Sequence, residues 1–233
     1  MKLLKNSVLF VLCALFVLSC ASTPAKGEKA AGEEGKMTAE ELSYINNPEE
    51  RHLFLNESAK DDAVLRKISA PALMKSEGYD VLEKFMMETL LKEKGVGIAA
   101  PQVGINRRVI IVQRLDKENQ PFEFFYNIVI KEKRGEKVAG WEGCLSIPAG
   151  FGKVERWQDI DIEYDVEKDG QIVRKNENIK GFTAVIFQHE TDHLDGILFI
   201  DKKTDEPLMD KESYREMRMK EKAEKEAKEK TDE

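Results

Sequence analysis

Residues 189–193 read His-Glu-Thr-Asp-His, and they hold two of the three histidines in a chain of 233 residues. On an α-helix, positions i and i+4 lie on one face, so His189 and His193 can present imidazoles to a single metal ion while Glu190 stands beside a water on it. The segment therefore requires a helix with a buried face. It also requires a further ligand from elsewhere, because a catalytic site of this kind takes three protein donors and leaves one position open.

The flanking residues supply the helix. Phe182, Val185, Ile186, His189 and His193 fall on a single stripe, which predicts a helix over 182–195 whose metal face is its buried face. Val81, Leu82, Phe85, Met86, Leu90 and Leu91 recur at helical spacing from Tyr79 to Lys94, with Gly95 as the stop. Between these helices the pattern turns to strands, over 108–113, 123–131, 159–165 and 171–174. Asp169-Gly170 is suited to a hairpin turn because both residues tolerate positive φ. The expected fold class is α+β, with antiparallel β-sheets around a central metal-binding helix.

The ends carry the bias in composition. Charged residues reach 35% of the chain against 41% hydrophobic, and they crowd toward the termini. Residues 206–233 read as a charged, solvated helical tail with no chemistry of its own. Residues 20–40 are rich in Ala, Gly, Glu and Lys and read as a flexible tether. Residues 41–205 are left to form the catalytic domain, with 41–70 as short helices or loops packed against it and His52 as a surface or core residue. The net charge of −7 offers nothing to nucleic acid or anionic lipid.

Residues 1–19 begin with Lys2 and Lys5 and continue through the apolar run Val8–Leu18. That run is short of the roughly 20 residues of a membrane span but suits the core of a secretory signal. Val17-Leu18-Ser19-Cys20 resembles a bacterial lipoprotein processing site, which implies lipidation of Cys20 and membrane anchoring; Ala21 after it implies the outer membrane, facing the periplasm. The alternative is a plain signal peptide. In either case Cys13 departs, and Cys144 is the thiol left in the domain. An unpaired thiol in an oxidising compartment is a hazard unless it is buried or held by a metal, which makes Cys144 the outstanding candidate for the third ligand.

Three segments now stand together: Gly95-Val-Gly-Ile-Ala-Ala-Pro-Gln102, Glu142-Gly-Cys-Leu-Ser146 and Gln188-His-Glu-Thr-Asp-His193. In order and spacing they resemble the three motifs of the peptide deformylase family, with weaker similarity from about Asp61 to Asp201. The resemblance implies a hydrolase that removes the formyl group from N-formylmethionyl peptides and releases formate. It implies Cys144, His189 and His193 as ligands of one divalent metal, Fe²⁺ by family habit, with Zn²⁺, Ni²⁺ or Co²⁺ able to take the site; a thiolate with two imidazoles suits these ions better than Mg²⁺ or Ca²⁺. It implies metal-bound hydroxide as the nucleophile and Glu190 as general acid and base. The oxyanion donors are the Gln102 side chain and the Leu145 backbone N–H. Gly97 is implied as a contact for an extended peptide, and Val96, Val185 and Ile186 as walls for its first side chain.

The chain also departs from the family. Asp61-Asp-Ala-Val-Leu-Arg66 lacks a common proline, Asn127-Ile128 replaces Asn-Pro, and many relatives carry a peptide-holding arginine near Phe151. The exported start is unusual for an enzyme that ordinarily acts on nascent chains, so the expected substrates are free N-formyl peptides, such as fragments of released signal peptides, or another small N-acyl peptide. Two other readings stand beside this one. A zinc peptidase would take Glu212 or Glu216 as its third ligand and leave Cys144 and Gln102 idle. A non-catalytic lipoprotein would bind metal or peptide without turnover.

Overall fold

The computed structural model describes residues 34–229. The signal 1–19, Cys20 and the tether as far as residue 33 lie outside them. Residues 34–40, expected as tether, are packed: Met37 is buried, the Tyr79 hydroxyl donates to the Gly35 carbonyl at 2.6 Å, and Leu73 N–H donates to the same carbonyl at 2.9 Å. Apolar Met37 gives this stretch something to bury, so the domain starts earlier than composition indicates.

Two short helices follow. α1 (Ala39–Ile45) opens on a capping box between Thr38 and Glu41, and α2 (Ala59–Leu65) on Ser58, whose hydroxyl accepts from Asp61 N–H. α3 (Tyr79–Glu93) buries Tyr79, Leu82, Phe85, Met86 and Leu90, the spacing expected of an amphipathic helix. It ends at Lys94, which takes the left-handed conformation at φ 56° in place of the glycine beside it.

Five strands form one antiparallel sheet in the order β1-β2-β3-β4-β5 among the described residues, rather than several sheets. They are β1 (Gly97–Ala99), β2 (Val109–Gln113), β3 (Phe122–Cys144), β4 (Ile147–Lys168) and β5 (Gln171–Lys180). In β2, Val109 and Ile111 pack into the α3 cluster while Ile110 and Val112 pack into the cluster of α4 (Gly181–Leu194). The sheet is thus covered on both faces there, and the unbroken run Val-Ile-Ile-Val is what such a strand needs. Asp169 and Gly170, at φ 52° and 78°, make the hairpin turn between Lys168 and Gln171.

β3 and β4 run far beyond the predicted 123–131 and 159–165. Their outer halves project into solvent and carry charges on both faces, so the alternation that reveals a strand is missing. Register shifts at Tyr126/Val129, Ile130/Glu132 and Arg134/Lys137 bend the pair. Asn127 sits in the first of them at φ 50°, and its amide bonds both backbone groups of Ala72 at 2.8 Å.

α4 is the predicted metal helix within one residue at each end. Gln188 clamps it to β4, donating to the Trp157 carbonyl at 2.8 Å and accepting from Trp157 N–H at 3.2 Å. One expectation fails: Phe182 is 56% exposed rather than buried, because the first turn of α4 forms the wall of a cavity instead of a core face. α5 (Lys211–Glu229) is helical as expected, but its first turn packs on the domain.

Candidate metal centre and substrate cavity

Cys144 ends β3, and its pairing with Ile147 leaves Leu145-Ser146 as a two-residue turn into β4. This turn brings the thiol against α4. The ligand atoms of Cys144, His189 and His193 all lie within 4.8 Å of one another, and Cys144 Sγ is 3.2 Å from His193 Nε2. Among the described residues this is the cluster able to hold a metal; Glu212 and Glu216 lie exposed on α5, outside it.

A second layer, absent from the sequence reading, fixes the ligands. His189 Nδ1 bonds Glu142 Oε2 at 2.8 Å, and Glu142 is gripped by buried Arg156 at 2.7 and 3.0 Å. Arg156 also bonds Asp192 at 2.6 Å, which ties β4 to α4 a second time. Burial works against ionisation of Glu142, but the hydrogen bonds from Arg156 and His189 outweigh it and hold the carboxyl at about 2. Burial also opposes a charge on His189, yet Cys144 and Glu142 push its pKa well up. Burial, with His189 and Arg156 nearby, holds His193 neutral. The local field thus favours one positive charge at His189, which a metal ion held there would supply, while His193 keeps a lone pair available. Thiolate, imidazole and imidazole fit a late first-row dication.

Glu190 is 4% exposed, and its Oε2 has no hydrogen-bond partner among the described residues. Burial raises its pKa to about 7. It is held against β1: a Cβ on Gly97 would overlap the Glu190 carboxyl, with 2.9 Å to its Cδ. Gly97 therefore has a role beyond the predicted peptide contact. Gln102 lies buried in a single 3₁₀ turn (Ala100–Val103). Its Oε1 accepts from Ala99 N–H at 2.8 Å, which leaves Nε2 facing Ser146 Oγ at 3.2 Å and Cys144 Sγ at 3.5 Å.

The model of the polypeptide deformylase family matches residues 58–207. This chain belongs to the peptide deformylase family. A peptide deformylase of Desulforudis audaxviator is 38% identical over 144 residues, 61% of this chain and 89% of that protein. The crystal structure of the Thermotoga maritima peptide deformylase aligns with a TM-score of 0.57 at 34% identity, covering 66% of this chain and 97% of that one. A Synechococcus elongatus peptide deformylase, solved in complex with actinonin, aligns with a TM-score of 0.57 at 29% identity, covering 73% and 85%. The chain is accordingly an α+β hydrolase of N-formyl peptides.

A cavity of about 430 Å³ opens over Cys144 and His189. All four predicted contacts, Val96, Gly97, Val185 and Ile186, line it, together with Gln102, Cys144, Leu145, His189 and Glu190. The sequence reading missed the outer wall of Phe182, Trp141, Phe151 and Tyr214. The Tyr214 ring stacks on Phe151 at 3.8 Å and 12° and meets Trp141 edge-on at 6.2 Å. Tyr214 stands in a helix turn otherwise made of charged and small polar residues, and that lone aromatic was the available signal.

Proposed function

We propose that Cys144, His189 and His193 hold one divalent metal, Fe²⁺ by resemblance, and that Glu190, Gln102 and Leu145 carry out hydrolysis of the formyl amide beside it. The observation that carries this is the convergence of the three ligand atoms within 4.8 Å under a buried carboxyl. When bound, the metal supplies Lewis-acid charge and lowers the pKa of water from about 15.7 toward 7.

The chain's own residues do the rest. Glu190 Oε2 accepts a proton from the attacking water and later delivers it to the departing amine. The water oxygen adds to the formyl carbon and the C–N bond breaks, so formate leaves and a free N-terminus remains. Gln102 Nε2, oriented by Ala99, and the Leu145 N–H donate to the developing oxyanion. β1 is an edge strand of the sheet, which supports an extended peptide adding alongside Gly97 through main-chain hydrogen bonds. Val96, Val185 and Ile186 then receive the first side chain.

The chain is exported and anchored to the membrane through lipid on Cys20, in the outer membrane facing the periplasm. The support is the sequence of residues 1–21. Its substrates there are free N-formyl peptides or other small N-acyl peptides rather than nascent chains. Offering the full-length protein N-formyl-Met and N-acetyl-Met peptides, with formate and acetate measured, tests the substrate reading; inactivity toward both contradicts it. Fatty-acid labelling that survives Cys20→Ala contradicts the anchor.

A further inference from the structure

α5 lies beyond the residues 58–207 that match the family model, yet Lys211 and Tyr214 of its first turn line the substrate cavity. The chain places them there. Phe151 and Met209 exchange two backbone hydrogen bonds at 2.8 Å. Asp210 then caps the helix, accepting from Glu212 and Ser213 N–H at 2.9 Å, and Tyr214 stacks on Phe151. Lys211 sits between these anchors, so its backbone position at the cavity mouth is set by packing and not by chance fraying of the terminus.

Lys94, the residue that closes α3, lines the same cavity. Neither Lys94 nor Lys211 has an ion-pair partner among the described residues. The acids lining the cavity are otherwise engaged: Glu93 pairs with Lys92 at 3.9 Å, Glu142 with Arg156, and Glu190 is buried beside the metal ligands. Lys94 and Lys211 are both exposed residues lining one cavity, and neither is paired with a carboxylate among the described residues. The opening leads to a cavity of about 430 Å³, toward the small end of the roughly 300–1,000 Å³ range of small-ligand sites.

We infer that this cavity selects short formyl peptides ending in a free α-carboxylate, which Lys94 and Lys211 receive at the mouth. The inference rests on the deformylase reading above and names the substrate class for the same site. The formyl end meets Glu190 and the metal ligands, the first side chain meets the apolar wall, and the far end of a di- or tripeptide brings its negative charge to the lysines. A nascent chain or a peptide amide brings no such charge. Because the lysines are exposed, the attraction is modest and screened by salt.

The test compares N-formyl-Met-Ala and N-formyl-Met-Ala-Ala as free acids and as C-terminal amides, with formate release measured on the full-length protein. The expected result is a free-acid preference of roughly fivefold in kcat/KM, expressed in KM and shrinking as salt is raised, the size an exposed ion pair supplies. In Lys94→Gln/Lys211→Gln the acid-to-amide ratio falls to about one, and Lys94→Arg/Lys211→Arg restores it. Equal rates on acid and amide at both lengths in the native protein, or a preference that survives the glutamine pair, overturn the inference while leaving the deformylase reading intact. No formate from any of the four peptides overturns both.

Discussion

His189 Nδ1 is the donor in its 2.8 Å hydrogen bond to Glu142, because a carboxyl held at about 2 can only accept. The tautomer of His189 is thereby set, and Nε2 is the nitrogen left to face Cys144 and His193. A side chain from β3 thus decides how a ligand on α4 presents itself. Glu142→Gln should weaken metal binding about 10- to 100-fold with the fold retained, seen as metal lost to a chelator in dialysis at concentrations the native protein withstands. Unchanged retention would show that the hydrogen bond does not orient the ligand.

Gly97→Ala should cost about 10² in kcat, because the new methyl displaces the Glu190 carboxyl and a misplacement near 1 Å has that effect. Metal content should stay native, since the three ligands are untouched. Single-turnover formate release with metal analysis of the same sample checks both halves.

Gln102→Ala should lower kcat by about 10² to 10³, the loss typical of one oxyanion donor. Its amide is anchored through Ala99 N–H at 2.8 Å and reaches Cys144 Sγ only at 3.5 Å, so the three donors stay in place and metal binding should persist. A variant that loses activity only by losing metal would remove Gln102 from the oxyanion role.

Glu177 gives a prediction about stability away from the site. Burial opposes its ionisation, but Arg114 at 2.6 Å and the Tyr164 hydroxyl at 2.8 Å outweigh this and hold its pKa at about 2. A carboxyl depressed in the folded state stabilises above its unfolded pKa, near 4.5, and that contribution fades as pH falls toward 2. Glu177→Gln should therefore cost about 1 to 2 kcal/mol at pH 7, a figure kept low because Glu177 is 19% exposed and Asp116 and Glu123 still neutralise Arg114. Urea denaturation at pH 7, 4 and 3 should show the gap to native already narrower at pH 4 than at pH 7 and narrower again at pH 3.

Much of the site was legible in the sequence because its chemistry is local. His189, Glu190 and His193 share one helical turn, Cys144 was the sole thiol left to the domain, and α4 spans the predicted helix to within one residue at each end, although only Ile186 and His193 of the predicted stripe are buried. The supporting layer was not legible. Arg156 reaches Glu142 across a strand pair, fourteen positions away, and nothing in a one-dimensional pattern distinguishes it from any surface arginine on β4. The outer halves of β3 and β4 were hidden because both of their faces are wet. The role of Tyr214 was hidden by the charge around it, since a run of Lys, Glu and Arg reads as a solvated helix even when its first turn closes a cavity.

In the proposed reaction Glu190 moves the proton, and other residues hold the metal. Formate release from N-formyl-Met-Ala-Ala should therefore be compared between native protein and Glu190→Gln, each with its metal content measured. A variant that keeps its metal and loses about 10² to 10⁴ in kcat is the predicted result. A metal-loaded variant that turns over at the native rate would show that Glu190 does not move the proton.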